Sequence, residues 1–194
     1  MSTIKLLNTI EKETCLKIKE MFSKKELFLK AFETLKTIKK NKKKIIIFGN
    51  GGSAALASHF SVDITKNAKI RCINFNDADL ITCFSNDYGF DKFVAQAINS
   101  YYDKGDCVIL ISVSGESKNV IEAGKFCKLK KIKLITLTGK KFTNSLKKLN
   151  KSGINFHVNS YDYNIVENIQ SQILLIIVDL LIGKITYDTS IGKL

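Results

Sequence analysis

Two short turns, rich in glycine and serine, carry the residues whose types and spacing could bind a charged ligand. The glycine turn, residues 49–54, reads Gly-Asn-Gly-Gly-Ser-Ala, and the serine turn, residues 112–117, reads Ser-Val-Ser-Gly-Glu-Ser. Each follows an apolar run typical of a β-strand and precedes a helix-like stretch. Each therefore offers unpaired backbone N–H groups at a helix N-terminus, where the helix dipole favours negative charge. The two turns predict a ligand that carries phosphate.

Neither turn matches a standard nucleotide-binding motif. The glycine turn lacks the spacing G-x-G-x-x-G, and the chain contains no Gly-Lys-Ser/Thr P-loop. The predicted strand that ends at Phe75 carries no acidic residue that could bind a ribose. A sugar phosphate therefore fits the pattern better than NAD or ATP.

The serine turn offers three hydroxyl groups, on Ser112, Ser114 and Ser117. At positions i, i+2 and i+5 across a strand-to-helix turn, these hydroxyls can converge on three phosphate oxygens. A plainer interpretation makes Ser117 an ordinary helix N-cap and Ser112 an ordinary strand-end residue. Gly115 between them, and the second glycine turn elsewhere in the chain, favour the phosphate site.

The apolar pattern that must position both turns alternates between strands and helices. Apolar positions at helical spacing predict two helices within residues 4–40. The β-branched run Ile45–Phe48 predicts a buried parallel strand that ends at the glycine turn. Further strands are predicted at residues 70–75, 107–111, 133–137 and 154–158. Helices are predicted at residues 53–66, 77–85, 90–101, 117–130, 144–150 and 165–183.

Strands that alternate with helices imply the α/β class, an open parallel sheet with helices on both faces. Ligands of such sheets bind beyond the carboxyl ends of the strands, where both turns lie. A chain of 194 residues usually makes one domain. We therefore expect a single domain, with N-terminal helices at 1–40, a sheet-and-helix core at 41–185 and a loose tail at 186–194.

The net charge of +13 could indicate nucleic acid or an anionic membrane as a partner. Lysine supplies nearly all of the positive charge, because Arg71 is the only arginine, and proline and tryptophan are absent. This composition is typical of a strongly AT-rich genome. The lysine runs at 39–44 and 130–131 also lack the interleaved aromatic residues of single-strand binders. We therefore expect a solvated lysine surface and no nucleic-acid partner.

The cysteines and the apolar runs indicate the cellular compartment of the protein. The five cysteines are scattered and form no C-x-x-C pair, which predicts buried free thiols in a reducing compartment. The N-terminus has no apolar signal-peptide core, and Asp179 interrupts the longest apolar run, Ile173–Leu181. We expect a cytoplasmic protein with no membrane segment.

A series of short segments carries a family resemblance. The segments are residues 49–55, 58–60, 85–90, 105–106, 112–117 with 119–121, and 137–139. In this order they resemble the sugar isomerase (SIS) domain of the phosphoheptose isomerase family, over roughly residues 40–182. The resemblance implies a three-layer, flavodoxin-like sheet and a homotetramer with pockets at subunit interfaces. Two apolar stripes within residues 4–40 agree with an assembly, since a single sheet face would not cover both.

The resemblance also implies a sugar-phosphate pocket. The phosphate would be held by Ser112, Ser114 and Ser117 of the serine turn. The residues near the sugar would be Asn50, Gly51 and Ser53, with Asn86 and Asp87 lining the site. Asn50 has an equally good alternative interpretation, as a turn residue that tolerates the left-handed conformation.

The isomerase chemistry of the family moves a proton between adjacent carbons and needs a carboxylate base and a partner group. Asp63 stands at the position of the family's glutamate, and His59 lies four residues earlier on the same helical face. Aspartate shortens the reach of the base by one methylene. Several members bind zinc with the same residues, yet Val166 and Leu174 stand where the family usually has glutamine and histidine. We therefore expect no metal and no cofactor.

Two other polar residues of the last helix, Glu167 and Gln170, could form a rearranged site. Alternatively, Val166 and Leu174 simply extend the packing face of that helix. His157 is out of register with the family motif and is interpreted as a surface or core residue.

Two functions remain open. The first is an aldose–ketose isomerase of a sugar phosphate, converting sedoheptulose 7-phosphate to a heptose 7-phosphate for surface polysaccharide, with Asp63 as base and His59 assisting. The alternative is a non-catalytic, regulatory SIS protein that binds a sugar phosphate without turning it over. Asp63 favours the enzyme, and Leu174 favours the binding protein.

Overall fold

Five parallel strands form the centre of the fold, in the order β2-β1-β3-β4-β5. The computed structural model describes residues 1–185, so the predicted tail at 186–194 lies outside the described residues. The strands are β1 (Ile45–Gly49), β2 (Cys72–Asn74), β3 (Cys107–Ser112), β4 (Lys133–Thr138) and β5 (Ile154–His157). The chain turns outward in opposite directions from β1 and β3, so the crevice between their carboxyl ends is the topological switch point where such sheets bind ligands.

The two strands at that switch point are the most deeply buried part of the sheet. All residues of β1 and β3 are buried, because both strands are continuous apolar runs covered by helices on both faces. Their register pairs Ile45 with Cys107 and Gly49 with Ile111. The glycine turn and the serine turn therefore leave neighbouring strands at the same edge of the sheet.

Eight helices in the described part of the chain surround the sheet. They are α1 (Thr3–Phe22), α2 (Lys25–Lys40), α3 (Gly52–Lys66), α4 (Ala78–Tyr88), α5 (Phe93–Tyr101), α6 (Lys118–Leu129), α7 (Ser145–Leu149) and α8 (Tyr163–Ile182).

Two apolar clusters fill the space on opposite faces of the sheet. Ile45 and Ile47 belong to the cluster with residues of α2, α3 and α8, whereas Ile46 and Phe48 belong to the cluster with residues of α5 and α6. This alternation follows from the two-residue period of a strand. The predicted three-layer α/β architecture is confirmed.

Some predicted boundaries differ from the structure. The second strand pairs only over Cys72–Asn74, because Lys69 has a left-handed φ of 57° and the Ile70 N–H still bonds to Ile64 O of α3 at 3.2 Å. The fourth helix continues to Tyr88, where Gly89 ends it at a φ of 81°.

The cysteines of the described chain differ in burial. The prediction that the cysteines are buried is right for Cys107 and Cys127 but wrong for Cys15 and Cys83, which are exposed.

Among the helices of the described residues, one, α8, is long enough and apolar enough to cross a membrane. Its buried apolar residues belong to the apolar core shared with α2 and α3, as expected for a core helix of the same composition.

Candidate functional site

A cleft of about 270 Å³ opens between the carboxyl ends of β1 and β3. The glycine turn forms one wall, the serine turn forms the other, and the start of α8 closes the end. The lining residues are Asn50, Gly51, Gly52, Ser53, Ile111, Ser112, Val113, Ser114, Ser117, Tyr163 and Glu167. All six residues predicted for the phosphate and the adjacent sugar therefore lie together.

The serine turn presents its hydroxyl groups to the cleft. Ser117 occupies the N-cap position of α6, yet its side chain makes no capping hydrogen bond with the described residues. Its Oγ lies 3.3 Å from Ser112 Oγ, which accepts a hydrogen bond from the Gly115 N–H at 3.1 Å. The Ser114 Oγ accepts from the Glu116 N–H at 3.1 Å, which leaves the Ser114 hydroxyl proton free to donate. Ser117 does stand at the N-cap position and Ser112 at the end of its strand, as the plainer interpretation predicts, but the Ser117 hydroxyl does not act as a cap among the described residues.

Neighbouring residues of α7 hold the serine turn in place. Gly115 has a φ of 68°, and a Cβ there would overlap the side chain of the fully buried Asn144. The Gly115 carbonyl accepts from Leu146 N at 3.0 Å. The Glu116 carboxylate accepts from Ser145 N at 2.9 Å and from Ser145 Oγ at 2.6 Å, and these bonds lower the pKa of Glu116. The acidic residue of the turn is thus held by α7.

The glycine turn is fixed by a different residue. Gly51 adopts φ 55° and ψ −125°, a conformation open to glycine, whereas Asn50 has no positive φ. The interpretation of Asn50 as a left-handed turn residue is therefore wrong. Its side-chain amide instead pairs with that of Asn119, which is 2% exposed, at 2.9 Å in both directions. Sequence reasoning assigned no role to Asn119, although it lies in the segment 119–121 that carries part of the family resemblance.

Among the described residues that line the cleft, Glu167 is the only one with a carboxylate. It is half-buried on α8, and its carboxylate lies directly against Gly52 at the start of α3. Gln170, the other residue considered for a rearranged site, is fully buried outside the cleft lining, and its amide atoms have no partner within residues 1–185.

The predicted catalytic pair lies on α3, away from the cleft. His59 Nε2 is 3.2 Å from Asp63 Oδ2, so the two side chains do meet. Burial, with a smaller contribution from the Asp63 charge, raises the pKa of Asp179 on α8. Gly52 adjoins Glu167, and further along both helices the charge of Asp63 acts on Asp179, so α3 and α8 run side by side in the same direction. Asp63 is ten residues beyond Ser53, about 15 Å along the helix.

Asn86 and Asp87 also lie apart from the cleft lining within the described chain. Both are exposed in the last turn of α4, where Asn86 Nδ2 donates to Asp87 Oδ1 at 3.0 Å. A single chain thus brings the predicted phosphate and sugar contacts together, but it does not bring them together with the predicted catalytic pair or with the end of α4.

Comparison with known proteins identifies the family of this chain. The model of the SIS domain matches residues 12–139, about two thirds of the chain. The chain belongs to the SIS-domain family. This SIS domain is 36% identical to the phosphoheptose isomerase of Aliarcobacter butzleri (strain RM4018) over an alignment of 140 residues, and the match covers 63% of this chain and 74% of that protein.

Other relatives agree with this membership. The phosphoheptose isomerase of Buchnera aphidicola subsp. Acyrthosiphon pisum (strain Tuc7) is 40% identical over 105 residues, 52% of this chain and 54% of that protein. The aligned part thus spans about half the length of such relatives. The structure of phosphoheptose isomerase GmhA from Neisseria gonorrhoeae superimposes with a TM-score of 0.84 at 26% identity, covering 93% of this chain and 99% of that one. A Francisella tularensis phosphoheptose isomerase shares the fold, with a TM-score of 0.86 at 22% identity, over 95% of this chain and 100% of that one.

Zinc, which the family resemblance implies for several members, does not fit the donor set of this SIS domain. Val166 is 0% exposed and Leu174 1% exposed, and both pack in the apolar core instead of offering a ligand atom. His59 and Asp63 remain as two donors. Within the described residues, no group of three or more His, Cys, Asp or Glu side chains could hold a metal ion. The packing interpretation of Val166 and Leu174 is the correct one.

His157 is a core residue of this SIS domain. It is buried at the end of β5, with its Nδ1 3.1 Å from Thr138 Oγ1. Burial, together with the nearby charges of Lys147 and Lys24, lowers the pKa of His157 to about 4. The imidazole is therefore neutral at pH 7 and lies outside the residues that line the cleft.

Proposed function

We propose that this SIS domain is an aldose–ketose isomerase that converts sedoheptulose 7-phosphate to a heptose 7-phosphate for surface polysaccharide synthesis. The observation that carries the proposal is the cleft that Ser112, Ser114 and Ser117 of the serine turn line together with Asn50 and Ser53 of the glycine turn. The relatives named phosphoheptose isomerase support the choice of substrate.

Phosphate binding follows from the serine turn. A phosphate group at this turn accepts hydrogen bonds from Ser112, Ser114 and Ser117 and lies at the N-terminus of α6, where the helix dipole favours its charge. The turn is preorganised because α7 holds Gly115 and Glu116 before any ligand arrives. The sugar then extends from the serine turn towards the glycine turn.

The chemical step is a proton transfer between C1 and C2 of the sugar. The Asp63 carboxylate removes a proton from C1 of the ketose while the C2 oxygen gains one, which leaves an enediol. Return of the proton to C2 and loss of the O1 proton produce the aldehyde. His59, at 3.2 Å from Asp63, assists the oxygen transfers.

We propose that a second copy of the chain brings this pair to the cleft, in a homotetramer. Asp63 is about 15 Å along α3 from the glycine turn, so its own cleft is out of reach. Large apolar side chains are exposed on α1 and beside the pair: Ile4 is 72%, Leu7 63% and Val62 61% exposed. Such apolar surface is typical of an interface between protein chains.

The replaced residues predict a slow enzyme. A base displaced by about 1 Å by the shorter aspartate can lose on the order of 100-fold in rate. A missing acid or base partner, as at Leu174, costs about 10²–10⁴-fold. We further propose a cytoplasmic location, which the five free cysteines of the described chain support.

A second candidate is a regulatory protein that binds a sugar phosphate without turnover. Its specific support is the burial of Val166 and Leu174 in the apolar core, because neither position offers a group that exchanges protons.

An isomerisation assay of purified protein with sedoheptulose 7-phosphate distinguishes the two candidates. We expect slow formation of the heptose 7-phosphate, with or without added zinc, and its loss in Asp63→Asn. The control is Asp79→Asn, which makes the same change at an exposed site in the first turn of α4. Absence of turnover in a protein that still binds the substrate supports the regulatory candidate.

A further inference from the structure

The cleft contains the N-termini of two helices, and only one of them is open to an anion. The N-terminus of α3 begins at the glycine turn, where the Glu167 carboxylate lies so close that a Cβ on Gly52 would be 2.5 Å from both carboxylate oxygens. Gly51, the N-cap residue, has no side chain that could cap the helix. Glu167 thus places a negative charge beside the start of α3, where the first amides of the helix have no intrahelical partner.

The N-terminus of α6 is arranged in the opposite way. The serine turn also contains a glutamate, Glu116, but its carboxylate accepts two hydrogen bonds from Ser145 of α7. Glu116 is not among the residues that line the cleft, whereas Ser112, Ser114 and Ser117 are. The amides and hydroxyls at the start of α6 therefore face the cleft, and the one carboxylate among the described lining residues, that of Glu167, lies against the start of α3 instead.

We propose that Glu167 is a specificity-determining residue that restricts the cleft to sugars carrying a single phosphate group. This inference rests on the proposed function and adds the residue that excludes a second phosphate group. A first phosphate at the serine turn leaves the rest of the ligand against the glycine turn. Sugar hydroxyls there can donate hydrogen bonds to the Glu167 carboxylate, but a second phosphate meets a charge of its own sign in a partly buried setting.

Two changes remove this charge from the start of α3 in different ways. Glu167→Gln keeps the size of the side chain and deletes its charge. Gly52→Ala keeps the charge but displaces the flexible end of Glu167, because the new Cβ occupies its place, and Gly52 has no positive φ that would strain alanine. Glu33→Gln, on the exposed face of α2, is the control for the change in net charge.

The experiment measures the affinities of sedoheptulose 7-phosphate and sedoheptulose 1,7-bisphosphate by titration calorimetry on the full chain. We expect the wild-type protein and Glu33→Gln to favour the monophosphate. In Glu167→Gln and in Gly52→Ala we expect the bisphosphate to gain about tenfold or more relative to the monophosphate. Thermal melting checks that each variant is folded, and either variant alone is sufficient for the comparison.

The outcomes of this titration distinguish a failure of the proposed role of Glu167 from a failure of the proposed function. A ratio of affinities that stays within twofold of wild type in both variants overturns the role of Glu167, while monophosphate binding leaves the proposed function intact. The same gain in Glu33→Gln also overturns it, since net charge would then be the cause. Failure of the wild-type protein to bind the monophosphate overturns the proposed function itself.

Discussion

The side-chain amides of Asn50 and Asn119 are bonded to each other twice, each Nδ2 donating to the opposite Oδ1 at 2.9 Å. Asn50 belongs to the glycine turn, and Asn119 belongs to the first turn of α6, directly after the serine turn. The pair therefore joins the two walls of the cleft and sets the distance between the phosphate contacts and the sugar contacts.

Loss of this pair is expected to cost both stability and ligand affinity. Asn119→Ala leaves the Asn50 amide without its partner and should lower the free energy of unfolding by about 1–2 kcal/mol. Asn50→Ala should cost somewhat less, because Asn119 Oδ1 keeps the hydrogen bond from the Val120 N–H. The double variant should cost little more than Asn119→Ala, because both changes remove the amide pair. Urea denaturation measures this coupling, with the exposed Asn99→Ala as the control. Strictly additive losses would show that the amide pair does not act as a unit.

Gly115→Ala is expected to damage the serine turn itself. The new Cβ would overlap Asn144, whose side chain caps α7 and donates to Gly139 O and Lys141 O. The positive φ adds about 1–2 kcal/mol, so the total loss of stability should reach about 3 kcal/mol or more. Gly183→Ala is the matched control, because Gly183 has a φ of 80° with nothing near its Cβ position. Urea denaturation measures the free energy of unfolding of both variants. Equal losses would show that the overlap with Asn144 does not contribute.

Protonation of His157 is expected to make the free energy of unfolding fall as the pH drops from 6.5 to about 4. Its pKa is about 4 in the folded protein against 6.5 for the free side chain, so the unfolded chain binds a proton that the folded chain does not. Stability is therefore fully present above the unfolded value and falls as the pH drops towards the folded one. Between pH 7 and pH 5 the loss should be about 2 kcal/mol.

Urea denaturation at these two pH values checks the assignment. His157→Gln should remove most of the loss, because glutamine does not titrate. The exposed His59→Gln should retain it. A wild-type loss that persists unchanged in His157→Gln would assign the pH dependence to another group.

The fold was largely predictable because its signals are local. The run Ile45–Phe48 is apolar over its whole length and precedes a glycine, which is sufficient to identify a buried parallel strand and the turn after it. The start of the second strand was not predictable in this way. Its first two predicted residues follow Lys69, whose left-handed conformation closes the end of α3 and has no local sequence signal.

The candidate site likewise combines residues that the local sequence indicates with contacts that only the tertiary structure creates. Ser112, Ser114 and Ser117 could be predicted because a single turn carries all three. The pairing of Asn50 with Asn119 joins residues 69 positions apart, and it exists because β1 and β3 are neighbours in the sheet. The approach of Glu167 to Gly52 depends on the parallel packing of α3 and α8. Contacts of this kind come from tertiary structure, so residue spacing alone does not indicate them.

Calorimetric titration of sedoheptulose 7-phosphate into the wild-type protein and into Ser114→Ala tests the central claim, that the serine turn binds the phosphate of a sugar phosphate. Ser100→Ala, exposed on α5 with its hydroxyl bonded to Gln96 O, is the control. We predict binding by the wild type and by the control, and a loss of roughly 1–3 kcal/mol in Ser114→Ala, the cost of removing one partner of a charge-assisted hydrogen bond. Unchanged affinity in Ser114→Ala would contradict the account.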